Sequence, residues 1–127
     1  MILLEKRKYK RIDTAIQIEL YFDDTVFKAE TINLSLSGVY CKAIARYKYL
    51  PDKILNLVIP IPKNKDFHLI KSYGLIVRET YSTGICYAAI FFNGLINAED
   101  KKIIKQYILA EDINNGNASI NSYTGGN

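Results

Sequence analysis

Arginine is scarce in this chain, and its placement is informative. Of 17 basic residues only four are arginine: Arg7, Arg11, Arg46 and Arg78. Two of them bracket one short basic run, Arg7-Lys8-Tyr9-Lys10-Arg11. Lysine supplies solvated point charge, whereas the guanidinium fork grips a phosphate or a guanine edge at two points. Residues i and i+4 share a side in a helix and also in an extended strand. Whatever backbone the run adopts, Arg7 and Arg11 can therefore face one anionic ligand. Taken alone, the run reads equally as a solvated basic leader, because basic five-residue stretches are common.

A second polar cluster, Asn33-Leu34-Ser35-Leu36-Ser37-Gly38, has the composition of a turn. Asn and Ser side chains bond nearby backbone, Gly permits a positive φ, and the interleaved leucines anchor the loop to a core. Parts for catalysis or for metal binding are missing. The single histidine, His68, sits in a strand-like pattern, where a surface or core role is the commoner one. No Cys or carboxylate cluster has metal-ligand spacing, and no Gly-rich loop opens a helix. The residues read as a binding protein and not an enzyme, with no cofactor.

The elements that position these residues follow from composition and periodicity. A chain of 127 residues, half of them hydrophobic and rich in Tyr and Phe, fits one β-leaning domain. A net charge of +4 permits an anionic partner. Cys41 and Cys86 are far apart and outside any CxxC pair, so they read as reduced core residues of a cytoplasmic protein, a disulfide requiring adjacent strands. No signal peptide or membrane span is visible; Ile2-Leu3-Leu4 is too short for either.

Residues 1–13 form the basic leader, with Ile12-Asp13-Thr14 as its hinge into the fold. Ile16, Ile18, Leu20 and Phe22 alternate as a half-buried strand, and Val26 to Ile32 returns as its hairpin partner. Val39 to Ala43, Leu55 to Ile61, Phe67 to about Glu79, and Ile85 to Phe92 make four more. Pro60 and Pro62 end the fourth strand or place it at an edge, and Gly74 marks a bulge or a close backbone approach. Asn97 caps a helix whose apolar face is Ile103, Ile104, Tyr107 and Ile108, leaving Lys101, Lys102 and Lys105 to solvent. The domain spans residues 14–112, and residues 113–127 read as a disordered polar tail. The fold class is mainly β: a small six-stranded antiparallel barrel with a C-terminal α-helix.

With both motifs in place, the chain resembles the PilZ domain, a bacterial receptor module for cyclic di-GMP. The resemblance rests on RxxxR in the leader (Arg7, Arg11), NxSxxG in the early turn (Asn33, Ser35, Gly38), and a gap between them that holds two strands. It covers roughly Arg7 to Ile108, including Ala89-Ile90-Phe91-Phe92 and Leu95 before the helix. Relatives usually carry glycine where this chain has Ala89, a departure expected to affect packing more than binding. The resemblance implies that Arg7 and Arg11 hold phosphate and the N7/O6 edge of guanine, a pairing arginine also makes in DNA. Asn33 and Ser35 would bond the other guanine edge or the sugar, and Gly38 would let the ligand approach. It also implies a downstream protein partner in motility, polysaccharide synthesis or pilus machinery.

Arg78, Lys8 and Lys10 are secondary candidates. Arg78 also reads as a surface arginine beside Glu79, and the two lysines as sources of long-range attraction. Tyr9 can stack on a base or pack. The leader is expected to be the switch, mobile when free and ordered by ligand. Two other readings stay open: a basic barrel that binds RNA or single-stranded DNA, and a PilZ-like adaptor that binds only protein. Against the first, the strand lysines are scattered among acids with no basic stripe, so no nucleic acid polymer is expected.

Overall fold

A computed structural model describes residues 10–44, 50–92 and 97–114. Seven strands and one helix follow in order: β1 Ile12–Asp13, β2 Gln17–Phe22, β3 Thr25–Leu34, β4 Gly38–Ile44, β5 Ile54–Lys63, β6 Asp66–Ser82, β7 Ile85–Phe92 and α1 Ala98–Asn114. The strands form one antiparallel sheet in the order β1-β3-β2-β5-β6-β7-β4, and β3 also pairs with β4. That last pairing closes six strands into a barrel, with β1 as an extra strand on its outside edge. The six expected strands are present, and the helix ends at Asn114 rather than at residue 112.

Period-two alternation explains the closure. Ile18, Leu20, Leu57, Ile59, Ile61 and Ile70 all point inward and are almost completely buried. Ile104 of α1 joins them at zero exposure, flanked by Ile103 and Ile108, so the helix caps the core with the face its spacing predicted. Asn97 caps α1 by accepting the Asp100 N–H at 2.8 Å. Asp100 in turn meets His68 Nε2 at 2.8 Å, and Tyr107 meets Thr14 at 2.7 Å. These contacts fix the helix to the barrel at two places, and they make His68 a half-buried structural residue.

Three tight hairpins set the registers. Phe22 pairs with Thr25, Lys63 with Asp66 and Ser82 with Ile85, each leaving a two-residue turn. Asp23, Asn64 and Thr83 take the positive φ those turns need, without an Asn-Gly or Asp-Gly pair. Strand β5 runs through both prolines. Its pairing with β2 covers only Asn56 to Val58, so Pro60 and Pro62 lie where β5 has a single strand neighbour. Gly74 answers to close approach: a Cβ there would lie 2.5 Å from Leu57 Cδ1 and from Ile90 Cγ2.

Cys41 and Cys86 are free, buried thiols on adjacent strands. Burial, aided by the neighbouring Cys86 thiol, pushes Cys41 from 9.0 up to about 12. No helix among the described residues is long and apolar enough to cross a membrane, and no group of three or more His, Cys, Asp or Glu could hold a metal ion there.

Candidate functional site

The hinge predicted at Ile12-Asp13-Thr14 is in fact the short strand β1. Ile12 pairs with Leu34 and Asp13 with Asn33, and Ile12 is buried in the core. Thr31, itself buried, accepts the Ile16 N–H at 2.8 Å and donates to the Thr14 carbonyl, locking the path from β1 into β2. This pairing carries the end of the leader to the Asn33 end of β3. Exposed Arg11, two residues before Asp13, is thereby brought beside the Asn33–Gly38 turn.

Two β-bulges then turn the site residues outward. In β3, Thr31 pairs with Cys41 but Asn33 pairs with Tyr40, so the register slips at Ile32. In β6, Ile76 pairs with Ile90 but Arg78 pairs with Ala89, so it slips at Val77. An extra residue reverses which side chains face out, because the strand period is two. Asn33, Tyr40, Ala89 and Arg78 consequently lie on one cross-strand row over β3, β4, β7 and β6. Three strand spacings make that row about 14 Å long, a breadth suited to something larger than one phosphate or one base.

The row is the floor of a cleft of about 290 Å³ lined by Arg11, Asn33, Ser35, Ser37, Gly38, Val39, Tyr40, Val77, Arg78, Ala89, Ile90 and Phe91. Small-molecule pockets begin at about 300 Å³, so the described residues form a shallow seat. Among the described residues no carboxylate lines the cleft, and two guanidinium groups do. Arg78 Cζ lies 5.8 Å from the centroid of the Tyr40 ring, which stacks on Tyr87 at 6.4 Å and 24°. This stack offers a cationic plane over an aromatic floor, suited to an anion or to the face of a base.

The turn at the end of the row is self-bonded. Ser35 is 3% exposed, and its N–H donates to Gly38 O at 2.9 Å. Its hydroxyl accepts the Ser37 N–H at 3.0 Å and meets the Ser37 hydroxyl at 2.9 Å. Ser35 therefore builds the turn, and Asn33 is the more available polar group. Gly38 is required for proximity rather than for a positive φ. A Cβ there would stand 2.3 Å from the Ile90 carbonyl oxygen of the paired strand β7.

The structure thus brings Arg11, Asn33, Ser35, Gly38 and Arg78 together at one cleft. Arg7, Lys8 and Tyr9 lie outside the described residues. Lys10 does not line the cleft; its ammonium pairs with Asp112 of α1 at 3.2 Å. Ala89, expected to matter for packing, lines the cleft as well. Tyr40, Val77 and Phe91 went unrecognised in the sequence. Tyr40 had a legible signal, since it stands two residues after Gly38 and so on the same strand face. Val77 and Phe91 had none, because their place depends on the β6 bulge and on the pairing of β6 with β7.

A family model described as PilZ domain matches residues 5–110. No curated protein matches the chain. Among solved structures, the fold is similar to the Bacillus subtilis inhibitor of motility (MotI/DgrA), at 17% identity and a TM-score of 0.76 over 87% of this chain. The chain spans about half of that protein's length, 53%. It is also similar to the PilZ domain of YcgR from Escherichia coli with c-di-GMP, at 9% identity and a TM-score of 0.66, covering 88% of this chain and 95% of that one. The PilZ domain of CeSA from a cellulose synthesizing bacterium follows at 13% identity and a TM-score of 0.53, covering 80% and 96%.

Proposed function

The chain belongs to the PilZ domain family, and on that footing we propose that it is a cytoplasmic receptor for cyclic di-GMP. One observation carries the reading. Residues far apart in sequence, from Arg11 through Asn33 and Gly38 to Arg78, line a single cleft that, among the described residues, has two guanidinium groups and no lining carboxylate. A dianion with two guanines matches that chemistry. Its phosphates suit charge-assisted two-point bonds from arginine, and its base edges offer N7 and O6 to the same fork. YcgR, similar in fold, has a PilZ domain solved with this nucleotide.

In this mechanism Arg11 and Arg7 grip the ligand from the leader, Asn33 bonds a base edge or sugar, and Arg78 over Tyr40 provides a cationic shelf. The self-bonded Ser35 turn holds the cleft's shape, and Gly38 lets β4 and β7 close beneath it. The bound dianion offsets two of the leader's five positive charges between Lys6 and Ile12 and so relieves their mutual repulsion. It thereby folds the leader across the cleft and offers a partner protein a new surface. That partner belongs to motility, polysaccharide or pilus machinery, the first two in keeping with the names of structural relatives.

Calorimetric titration of the full chain tests the reading. Heat with cyclic di-GMP and none with single-stranded RNA or DNA oligonucleotides is expected. Oligonucleotide binding alone would replace the receptor with a nucleic-acid-binding barrel, and silence with both would leave a protein-only adaptor.

A further inference from the structure

Strand β6 changes sides at one residue. Up to the bulge its odd-numbered residues face out: Phe67, Leu69, Tyr73, Leu75 and Val77 are exposed, while Ile70, Ser72 and Ile76 are buried. Beyond Val77 the parity reverses. Arg78 is exposed toward the cleft, and the Glu79 side chain is turned away with 4% exposure. Without the extra residue Arg78 would point into the barrel and Glu79 would point at the ligand. The sign of the charge facing the cleft therefore depends on a local kink being held.

Both arms of the kink are held by the segment from Leu50 to Lys53. Before the bulge, the Ile76 N–H donates to Lys53 O at 2.7 Å. After it, the Glu79 carboxylate accepts the Leu50 N–H at 2.9 Å and the Lys53 ammonium at 2.6 Å. Glu79 does not line the cleft. A carboxylate this buried is stable only with its donors in place, so it resists any slip that would separate it from them.

We propose that Glu79 is a positioning residue for the ligand cleft: anchored by Leu50 and Lys53, it locks the Val77 bulge in the register that presents Arg78. The inference rests on the cyclic di-GMP reading of the cleft. Calorimetric affinities of wild type, Arg78→Ala, Glu79→Ala and the double variant form the test. Loss of one charge-assisted contact is expected to weaken binding about tenfold in each single variant. The double variant is expected to bind no more weakly than Arg78→Ala. Wild-type affinity in Glu79→Ala, or losses that multiply in the double variant, would overturn the proposal. Glu79→Gln keeps an acceptor for the Leu50 amide and is expected to restore most of the affinity. Should Glu79→Ala fail to fold, Lys53→Met, on an exposed side chain, completes the same cycle with the same expected non-additivity. A readout without ligand separates this proposal from the functional reading. The Arg78 Cδ–Hδ signals in the NMR spectrum of the free protein should carry the ring current of Tyr40 and move toward solvent values in Glu79→Ala and Lys53→Met. Unmoved signals would overturn the positioning role even if cyclic di-GMP binds, and moved signals would support it even if the wild type does not bind that nucleotide.

Discussion

Asn33 and Arg78 close the two ends of one cross-strand row, and each stands just past a residue at which the strand register slips. Neither would face the cleft in an unbroken period-two strand. The candidate site is therefore made by two irregularities in an otherwise regular barrel, with Tyr40 and Ala89 as the floor between them.

Arg11→Lys keeps the charge and loses the fork. If Arg11 makes a two-point contact, cyclic di-GMP affinity should fall by about 1–3 kcal/mol, with little change in melting temperature, because Arg11 is exposed. Equal affinity in calorimetry would reduce Arg11 to a point charge.

Asn33→Ala and Ser35→Ala should separate binding from folding. Ser35 is buried in the hydrogen bonds of its own turn, so its loss should cost roughly 1–3 kcal/mol of stability. Half-buried Asn33 should instead cost affinity and leave the thermal midpoint nearly unchanged. Reversed effects in paired melts and titrations would reassign the two residues.

Gly38→Ala should destabilise more than Gly74→Ala. The added Cβ at residue 38 meets the backbone oxygen of Ile90, which cannot step aside, whereas at residue 74 it meets the ends of Leu57 and Ile90 side chains. Overpacking of this kind costs about 1–3 kcal/mol. Chemical denaturation of both variants gives the order directly.

Ligand should slow amide exchange from Lys6 to Arg11, since a dianion offsets the charge of that run and the arginines fasten it. The Ile12 N–H faces β3 in the existing pairing and the Thr14 N–H donates to Ile32 O at 3.2 Å, so these two amides should be protected with or without ligand. If protection across residues 6–11 is the same in both states, the leader is not the switch, whatever the affinity.

Stability should fall as pH rises from about 9 to 12. Cys41 keeps its proton in the fold up to about 12, while in the unfolded chain it ionises near its ordinary value, so the unfolded state binds fewer protons in that window. Each pH unit then removes at most about 1.4 kcal/mol through this thiol. Cys41→Val should flatten the slope in denaturant titrations across that range, and an unchanged slope would assign it to other groups.

The six barrel strands, their order along the chain and the capping face of α1 could be read from the sequence, because they follow from period-two and period-3.6 patterns written locally; β1, only two residues long, could not. Arg11 could be nominated from residue type and spacing, and Asn33, Ser35 and Gly38 only through the resemblance of their turn to the PilZ pattern. What the sequence could not carry was direction. In β6 the outward face holds Phe67, Leu69, Tyr73, Leu75 and Val77, and the inward face includes Ser72 and Gly74. Hydrophobicity alone would have turned that strand over. The barrel decides otherwise because Leu57 and Ile90 already fill the space beside residue 74, leaving no room there for a Cβ. Likewise, whether Arg78 or Glu79 meets the cleft depends on one extra residue in a strand pairing. Pairing register is settled between strands distant in sequence and only once the barrel closes.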